Sequence, residues 1–250
     1  MSFNFSPKIV TDGLVLYLDA ANTKSYVSGS TRWNDISRGG NNGTLVNGPT
    51  FSGSNGGSIV FDGIDDYVKI SNSGYDLGVN FTLQFWTKIA KFGGHSGSAW
   101  NRSALITNSY PYTPGQGFWV AATSQLSGAP YSPTPGRETF FISMGLDQYE
   151  AAASAGSLTA YVNKWVNLSV TVNGTNPIRL YINGVEVSYA VQENGPSTWS
   201  YTPSSPFALG VRNISEEYLQ GSISIAKIYN RRLSAQEILQ NYNATKSRFI

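Results

Sequence analysis

Carboxylate side chains are the first residues in this sequence that could do chemistry, because glycoside hydrolysis needs two carboxyl groups about 5–5.5 or 6.5–9.5 Å apart. The adjacent pairs Asp65-Asp66 and Glu216-Glu217 would point to opposite faces of a strand. We interpret them as solvated turn and loop residues, which is usual for Asp and Glu. No pair with a hydrolase-like spacing is visible in the sequence, so we predict no catalytic residues. The acids that fall in strand-like segments are Asp19, Asp62, Asp66 and Glu186.

The single histidine, His95, is the other candidate for acid–base or metal chemistry. It lies in a Gly-Gly-His-Ser-Gly segment that suggests no partner, and we interpret it as a polar loop residue. The chain contains no cysteine, which excludes disulfides, thiolate zinc sites and cysteine nucleophiles. No nucleophile-elbow pattern supports a serine triad. The sequence therefore predicts a protein that is not an enzyme.

Aromatic side chains in loops rich in Gly, Pro and Ser are the candidates for binding. They could stack on a sugar ring, or they could pack against a neighbouring subunit, where Tyr and Trp are enriched. The loops are long, at 91–116, 124–137 and 190–205, and loops of this length are usually functional or disordered. We predict subunit contacts, with glycan binding as the alternative, for one set of loop residues. This set is Trp100, Tyr110, Tyr112, Tyr131, Trp199 and Tyr201.

Short strands of alternating polarity must position these loops. In NFTLQFWTKI (80–89) one face is apolar and the other carries Thr82, Gln84 and Trp86, which predicts a half-buried strand. KWVNLSVTVN repeats the pattern. The predicted core residues are Phe81, Leu83, Phe85, Val166, Leu168 and Val170. Further predicted strands are 14–20, 58–62, 66–70, 103–107, 117–123, 138–144, 206–211 and 222–229.

Turn and cap residues complete the fold prediction. Asn183-Gly184 predicts a two-residue hairpin, and Ser234 with Glu237 predicts a capping box that begins a C-terminal helix. About a dozen strands with almost no helix indicate an all-β protein, a two-sheet antiparallel β-sandwich with one short C-terminal helix. No composition break divides residues 1–250, so we predict a single domain.

Composition excludes several kinds of partner. The net charge is +2 and the basic residues are scattered, so no nucleic acid partner is predicted. No apolar stretch approaches the roughly 20 residues that span a bilayer. The N-terminal segment lacks the basic and apolar regions of a signal peptide. We therefore expect neither membrane insertion nor export by that route.

Both ends of the chain resemble one family. The resemblance lies in seven segments, which are, in order, GLVLYLDAANTKSY, WNDISRGGNNGTLVNGPTF, GGSIVFDGIDDYVKI, FTLQFWTKI, WVNLSVTVNGTNPIRLYINGVEV, FALGVRN and GSISIAKIYNRRLSAQEILQNYNATKSRF. Their order resembles that of a concanavalin A-like, laminin-G-like jelly roll. The match covers most of the chain except about 91–157 and 190–205. The hydrolases of this superfamily carry an E-x-D-x-x-E cluster, which this sequence lacks.

The resemblance also implies a cation site to consider. Laminin-G-like domains often hold one Ca²⁺ through an early-strand Asp, loop oxygens and an acid near the last strand. Asp19, Asn41 and Asn42 match the first two groups. Ala226 and Lys227 stand where relatives often have the acid, so we expect no cofactor and no strong dependence on Ca²⁺.

The opening and the ending look most like the version of the fold found in structural proteins of tailed bacteriophages. This resemblance implies a non-enzymatic virion protein, such as a capsid decoration, neck or fibre-associated domain, assembled in the host cytoplasm. Its expected partners are other virion proteins or further copies of itself. The alternative is a carbohydrate-binding, lectin-like adhesin that contacts a cell-surface glycan, and a glycan hydrolase is a more distant alternative.

Overall fold

The computed structural model describes residues 7–71, 77–91, 102–108, 117–123, 138–144, 149–154, 156–197, 206–212 and 217–250. In chain order the strands are β1 (Leu14–Asp19), β2 (Arg32–Trp33), β3 (Gly43–Val46), β4 (Thr50–Ser52), β5 (Ser58–Asp62), β6 (Tyr67–Ile70), β7 (Asn80–Lys91), β8 (Arg102–Thr107), β9 (Phe118–Thr123), β10 (Thr139–Met144), β11 (Tyr149–Ala153), β12 (Trp165–Asn173), β13 (Arg179–Ile182), β14 (Val185–Glu186), β15 (Tyr189–Gln192), β16 (Phe207–Leu209) and β17 (Gln220–Tyr229). The helix α1 spans Ala235–Asn243, and short 3-10 helices span Ser54–Gly56, Thr159–Tyr161 and Lys246–Arg248.

These strands form two antiparallel sheets, as the alternating pattern predicts. The eight-stranded sheet has the order β14-β13-β12-β7-β17-β5-β4, and β1 pairs with β17 beside β5. The nine-stranded sheet has the order β15-β11-β10-β9-β8-β16-β6-β3-β2. The first and last long strands belong to the same sheet, since Leu18 lies opposite Ala226 in the β1–β17 pair.

The core lies between the two sheets. All six residues predicted for it are buried to at least 99% and belong to one continuous cluster. Phe81 from the first sheet stacks on Phe118 from the second, with ring centroids 5.1 Å apart. Because each sheet has an apolar face, packing the two faces together removes both from water.

The prediction that β7 is half-buried is wrong, because both of its faces are covered. Thr82, Gln84 and Trp86 are buried on the side away from the core. Trp86 stacks on Phe249 with ring centroids 4.1 Å apart, and its indole N–H donates to the hydroxyl of Thr245 at 2.8 Å. The C-terminal segment thus covers the outer face of the eight-stranded sheet.

The predicted hairpin and helix start are both present. Asn183 and Gly184 have φ values of 52° and 80°, as a type I′ turn requires. The Ser234 hydroxyl accepts from the Glu237 amide at 3.2 Å, and the Glu237 carboxylate accepts from the Ser234 amide at 2.9 Å. Arg231 donates to the same carboxylate at 2.6 Å, which lowers the pKa of Glu237 to about 2. The capping box therefore also joins α1 to the end of β17.

Removing the capping hydroxyl with Ser234→Ala is expected to lower the free energy of unfolding by about 1 kcal/mol, because one helix N–H loses its acceptor. Ser234→Asp keeps an acceptor oxygen and is the control that should stay close to wild type. Urea unfolding followed by circular dichroism measures both. Equal stability of all three proteins would contradict the role of the cap.

Two of the predicted loops contain strands. β8 (Arg102–Thr107) lies within 91–116 and confirms the strand predicted at 103–107. β15 (Tyr189–Gln192), at the start of 190–205, was not predicted. β11 was also not predicted, because its Ala-rich sequence YEAAA has low strand propensity and acquires its conformation by pairing with β10. Among the residues that the structure describes, no helix has the length and apolar character needed to cross a bilayer.

Candidate functional site

The predicted interface residues Trp100, Tyr110, Tyr112, Tyr131, Trp199 and Tyr201 lie outside the described residues, as do His95 and Glu216. Their roles stay predictions. The described part of the chain offers other candidates on the two sheet faces, among the acidic residues and in the clefts.

One aromatic cluster lies on the outer face of the nine-stranded sheet. Trp119 and Phe141 meet edge to face with centroids 4.6 Å apart, and the Arg212 guanidinium lies 4.2 Å from the Trp119 ring centre. Arg212 also donates to Glu217 at 3.1 and 3.2 Å. Glu217 is buried, so its interpretation as a solvated loop residue is wrong. Trp119 is 4% exposed, so this cluster offers no open platform to a ligand.

The candidate calcium ligands each have protein partners. Asp19 accepts from Arg248 at 3.0 Å with both carboxylate oxygens and from the Tyr17 hydroxyl at 3.1 Å. Asn41 donates to the Val15 carbonyl at 3.0 Å. Asn42 accepts from the Asp35 amide at 3.0 Å. Arg248 supplies the positive charge beside Asp19 that a cation would otherwise supply.

A second acidic group, which the sequence reasoning interpreted as turn residues, could hold a divalent cation. Carboxylate oxygens of Asp62, Asp65 and Asp66 all lie within 4.8 Å of one another. Asp66 is buried, accepts from the Asp62 amide at 3.0 Å, and has its pKa raised mainly by burial. Carboxylate oxygens suit Ca²⁺. Asp62 and Asp65 are exposed, whereas Asp66 is buried, so the interpretation of Asp66 as a solvated turn residue is wrong.

An open cleft lies at one side of the sandwich, between described residues. It lies where β4, the edge of the eight-stranded sheet, faces β2 and β3 at the edge of the other sheet. Its volume is about 550 Å³, within the roughly 300–1,000 Å³ of typical ligand pockets. We call it the edge cleft, and its lining residues are Tyr26, Ser28, Gly29, Ser30, Thr31, Leu45, Asn47, Gly48, Pro49, Thr50 and Phe51.

The edge cleft has an apolar floor and a polar rim. The rings of Tyr26 and Phe51 pack with centroids 5.2 Å apart, and Phe51 and Leu45 are half-buried against the main core. Ser28 and Thr31 are exposed at one wall, and Asn47 is exposed at the other. This combination of apolar surface with a few fixed polar groups is typical of small-ligand sites.

Hydrogen bonds hold both walls of the edge cleft in place. The Tyr26 hydroxyl donates to the Ser30 carbonyl at 2.9 Å, and burial raises the pKa of this hydroxyl, which keeps it protonated. The Leu45 amide donates to the Thr31 carbonyl at 2.8 Å. Asn47 has a φ of 67° and donates to the Asp65 carbonyl at 2.9 Å. The walls are therefore formed before any ligand arrives.

At the opposite side of the sandwich, hydrogen bonds join the two sheets. There the Ile178 amide donates to the Glu193 carbonyl at 2.9 Å, and the Gln192 side chain donates to the Ile178 carbonyl at 3.0 Å. A smaller groove of about 400 Å³ remains beside the hairpin. Its Glu186 is already paired with Arg179 and Tyr189, each at 3.1 Å. The edge cleft, at about 550 Å³, is larger than this groove.

The edge cleft was not predicted from the sequence, because the predicted binding residues were aromatic side chains in long loops. The cleft is built from two short segments, 26–31 and 45–51, that meet only after the sheets form. The available signal was Tyr26 and Phe51, each next to a turn rich in Ser, Gly, Asn or Pro.

Comparisons with known proteins agree with this fold. Residues 62–239 match the sequence profile of the concanavalin A-like lectin/glucanases superfamily. A comparison with curated protein sequences gives no match.

Several solved structures share the fold at low sequence identity. The binding domain of Paraclostridial Mosquitocidal Protein 1 aligns with a TM-score of 0.66 and 16% identity, over 93% of this chain and 52% of that one. Domain 4 of AbnA, a GH43 extracellular arabinanase from Geobacillus stearothermophilus in complex with arabinotriose, aligns with a TM-score of 0.63 and 15% identity over 93% and 100%. The botulinum neurotoxin type G receptor binding domain gives 0.59 and 15% over 92% and 51%. The chain thus spans about half the length of these toxin domains.

Proposed function

The chain belongs to the concanavalin A-like lectin/glucanase superfamily, and from this premise we propose that it is a non-enzymatic domain that binds carbohydrate in the edge cleft. The observation that carries the proposal is the cleft itself, an open space with an apolar floor and a preformed rim of hydroxyl, amide and backbone groups. Sugars present apolar ring faces and many hydroxyls, so they match both parts of such a site.

The structural relatives support a binding function. One is a domain in complex with arabinotriose, and others are toxin receptor-binding domains. At identities of about 15%, these relatives support only a shared fold. The proposed ligand is inferred from the edge cleft of this chain. A preformed site reduces the ordering entropy lost on binding.

The edge cleft also lacks the groups that hydrolysis needs. None of its lining residues is an acid, whereas glycoside hydrolysis uses a pair of carboxylates on either side of the bond. A sugar held in this cleft would therefore be bound without being cleaved.

Filling the edge cleft with Thr50→Trp is expected to abolish carbohydrate binding, because the indole occupies the ligand's space. Thr44→Trp is the matched control, since Thr44 is also an exposed strand threonine but lies outside the lining. A glycan array followed by isothermal titration calorimetry measures binding, and thermal unfolding verifies that both variants fold. Glycan binding that survives Thr50→Trp would place the site elsewhere.

A second proposal concerns where the domain acts, and it rests on the resemblance of LVLYLDA and IYNRRLSAQEI to structural proteins of tailed bacteriophages. In this proposal the domain is displayed on a virion, in several copies, with Tyr110, Tyr112, Tyr131, Trp199, Tyr201 and Trp100 contacting neighbouring proteins or the host surface. Immunogold labelling of purified particles tests it. Particles that lack the protein would contradict it, and carbohydrate binding by the isolated domain would be unaffected.

A further inference from the structure

None of the described residues that line the edge cleft has a charged side chain, and this feature limits the ligands that the cleft can select. Its polar groups are hydroxyls, one side-chain amide and the backbone of two turns. Arg32 follows Thr31 directly but is not among the residues that line the cleft. A ligand in the cleft therefore meets neutral donors and acceptors.

Charge in the ligand would be unfavourable in such a site. A carboxylate that leaves water costs several kcal/mol unless a positive group or several donors replace its hydration. The cleft has no Lys or Arg among its lining residues to supply that compensation. Neutral sugars lose only hydroxyl–water hydrogen bonds, and Ser28, Thr31 and Asn47 can replace these.

We propose, on the basis of the proposed carbohydrate-binding function, that the edge cleft is specific for uncharged saccharides and discriminates against uronic and sialic acids. The apolar face of a sugar ring lies on Phe51 and Leu45, and its hydroxyls bond to the rim. The fixed walls make this selection stringent, because they cannot rearrange to bring in a distant cation.

The experiment compares neutral and anionic glycans on the intact protein. The neutral glycans on the array are lactose and oligomers of arabinose, glucose and mannose. The anionic glycans are oligogalacturonate and sialyllactose. Calorimetry then measures the affinity for each glycan that binds. Binding of a neutral glycan at least roughly tenfold tighter than its anionic counterpart is expected. Equal or tighter binding of anionic glycans to wild type would overturn the proposed specificity while leaving the carbohydrate-binding function intact. Absence of binding to every glycan would overturn both.

A charge placed in the edge cleft gives the sharper test. Thr31→Lys adds an ammonium group to the wall and is expected to raise the affinity for oligogalacturonate and sialyllactose relative to neutral glycans by at least about tenfold. Thr175→Lys adds the same charge at an exposed turn outside the cleft and should leave the wild-type ratio unchanged. An unchanged ratio in Thr31→Lys, or an equal change in both variants, would overturn the proposal.

Discussion

Replacing Lys227 with methionine is expected to raise the free energy of unfolding at pH 7 by on the order of 3 kcal/mol. Lys227 is 1% exposed on β17, between β1 and β7, with its ammonium 5.3 Å from the Tyr17 ring centre. Burial lowers the pKa of Lys227 from 10.5 to about 7, although Asp19 acts in the opposite direction. Methionine has a similar shape and no charge to remove from water.

The pH dependence has a definite sign. The unfolded chain holds the Lys227 proton up to about pH 10.5, whereas the folded protein releases it near pH 7. Between these values the unfolded state binds more protons, so wild-type stability rises with pH. Below about pH 7 both states are protonated and the unfavourable burial is fully present.

Two tyrosines near Lys227 determine the pH above which wild-type stability stops rising. Tyr17 on β1 and Tyr229 on the same strand have pKa values raised mainly by burial. Such groups contribute stability below about pH 10 that is lost as the pH rises further, because the unfolded tyrosines then ionise. Asp19 and Arg248 also act on Lys227, Asp19 raising and Arg248 lowering its pKa. Wild-type stability should therefore be greatest near pH 10.

Urea unfolding between about pH 6 and 10 measures the effect. Lys227→Met should be more stable than wild type at pH 7 and should lose most of the rise with pH. Lys69→Met is the matched control, because Lys69 is an exposed strand lysine, and it should keep the wild-type profile. Destabilisation by Lys227→Met at pH 7, with the slope retained, would show that the ammonium stabilises the fold.

Sequence patterns predicted the strands that depend on local alternation. β7 and β12 follow the period of two, the Asn183-Gly184 turn has the required positive φ values, and Ser234 caps α1. β11 was not predicted, because its alanines gain strand conformation from pairing rather than from propensity. The same limit applies to β2 and β4, which are two and three residues long.

Burial on the outer face of the eight-stranded sheet could not be predicted, because it depends on a distant segment. Gln84 was predicted to lie on the uncovered face of β7, yet Gln84 and the charged Lys227 are both buried, because α1 and the C-terminal turn cover their sheet. The partner of Asp19 is Arg248, 229 positions later in the chain. The edge cleft could not be predicted for the same reason. It is formed by two segments that become neighbours only through the order of strands in the sheets.

Removing the aromatic contact beneath the C-terminal segment tests this covering directly. Trp86→Ala is expected to lower the free energy of unfolding by about 3–5 kcal/mol, because a buried aromatic side chain and its packing are lost. Trp86 stacks on Phe249 and on Tyr242, with centroids 4.1 and 5.7 Å apart.

The control Trp86→Phe separates packing from the hydrogen bond. It keeps a stacked ring but loses the donor to Thr245, so a cost nearer 1 kcal/mol is expected. Combining Trp86→Ala with Phe249→Ala should cost less than the sum of the single changes by about 0.5–1.5 kcal/mol, because both remove one ring pair. Additive costs, or a Trp86→Ala cost below about 1 kcal/mol, would mean that the C-terminal segment does not seal the sheet. Lys227 would then lie close to solvent, and the pH dependence expected of it would disappear as well.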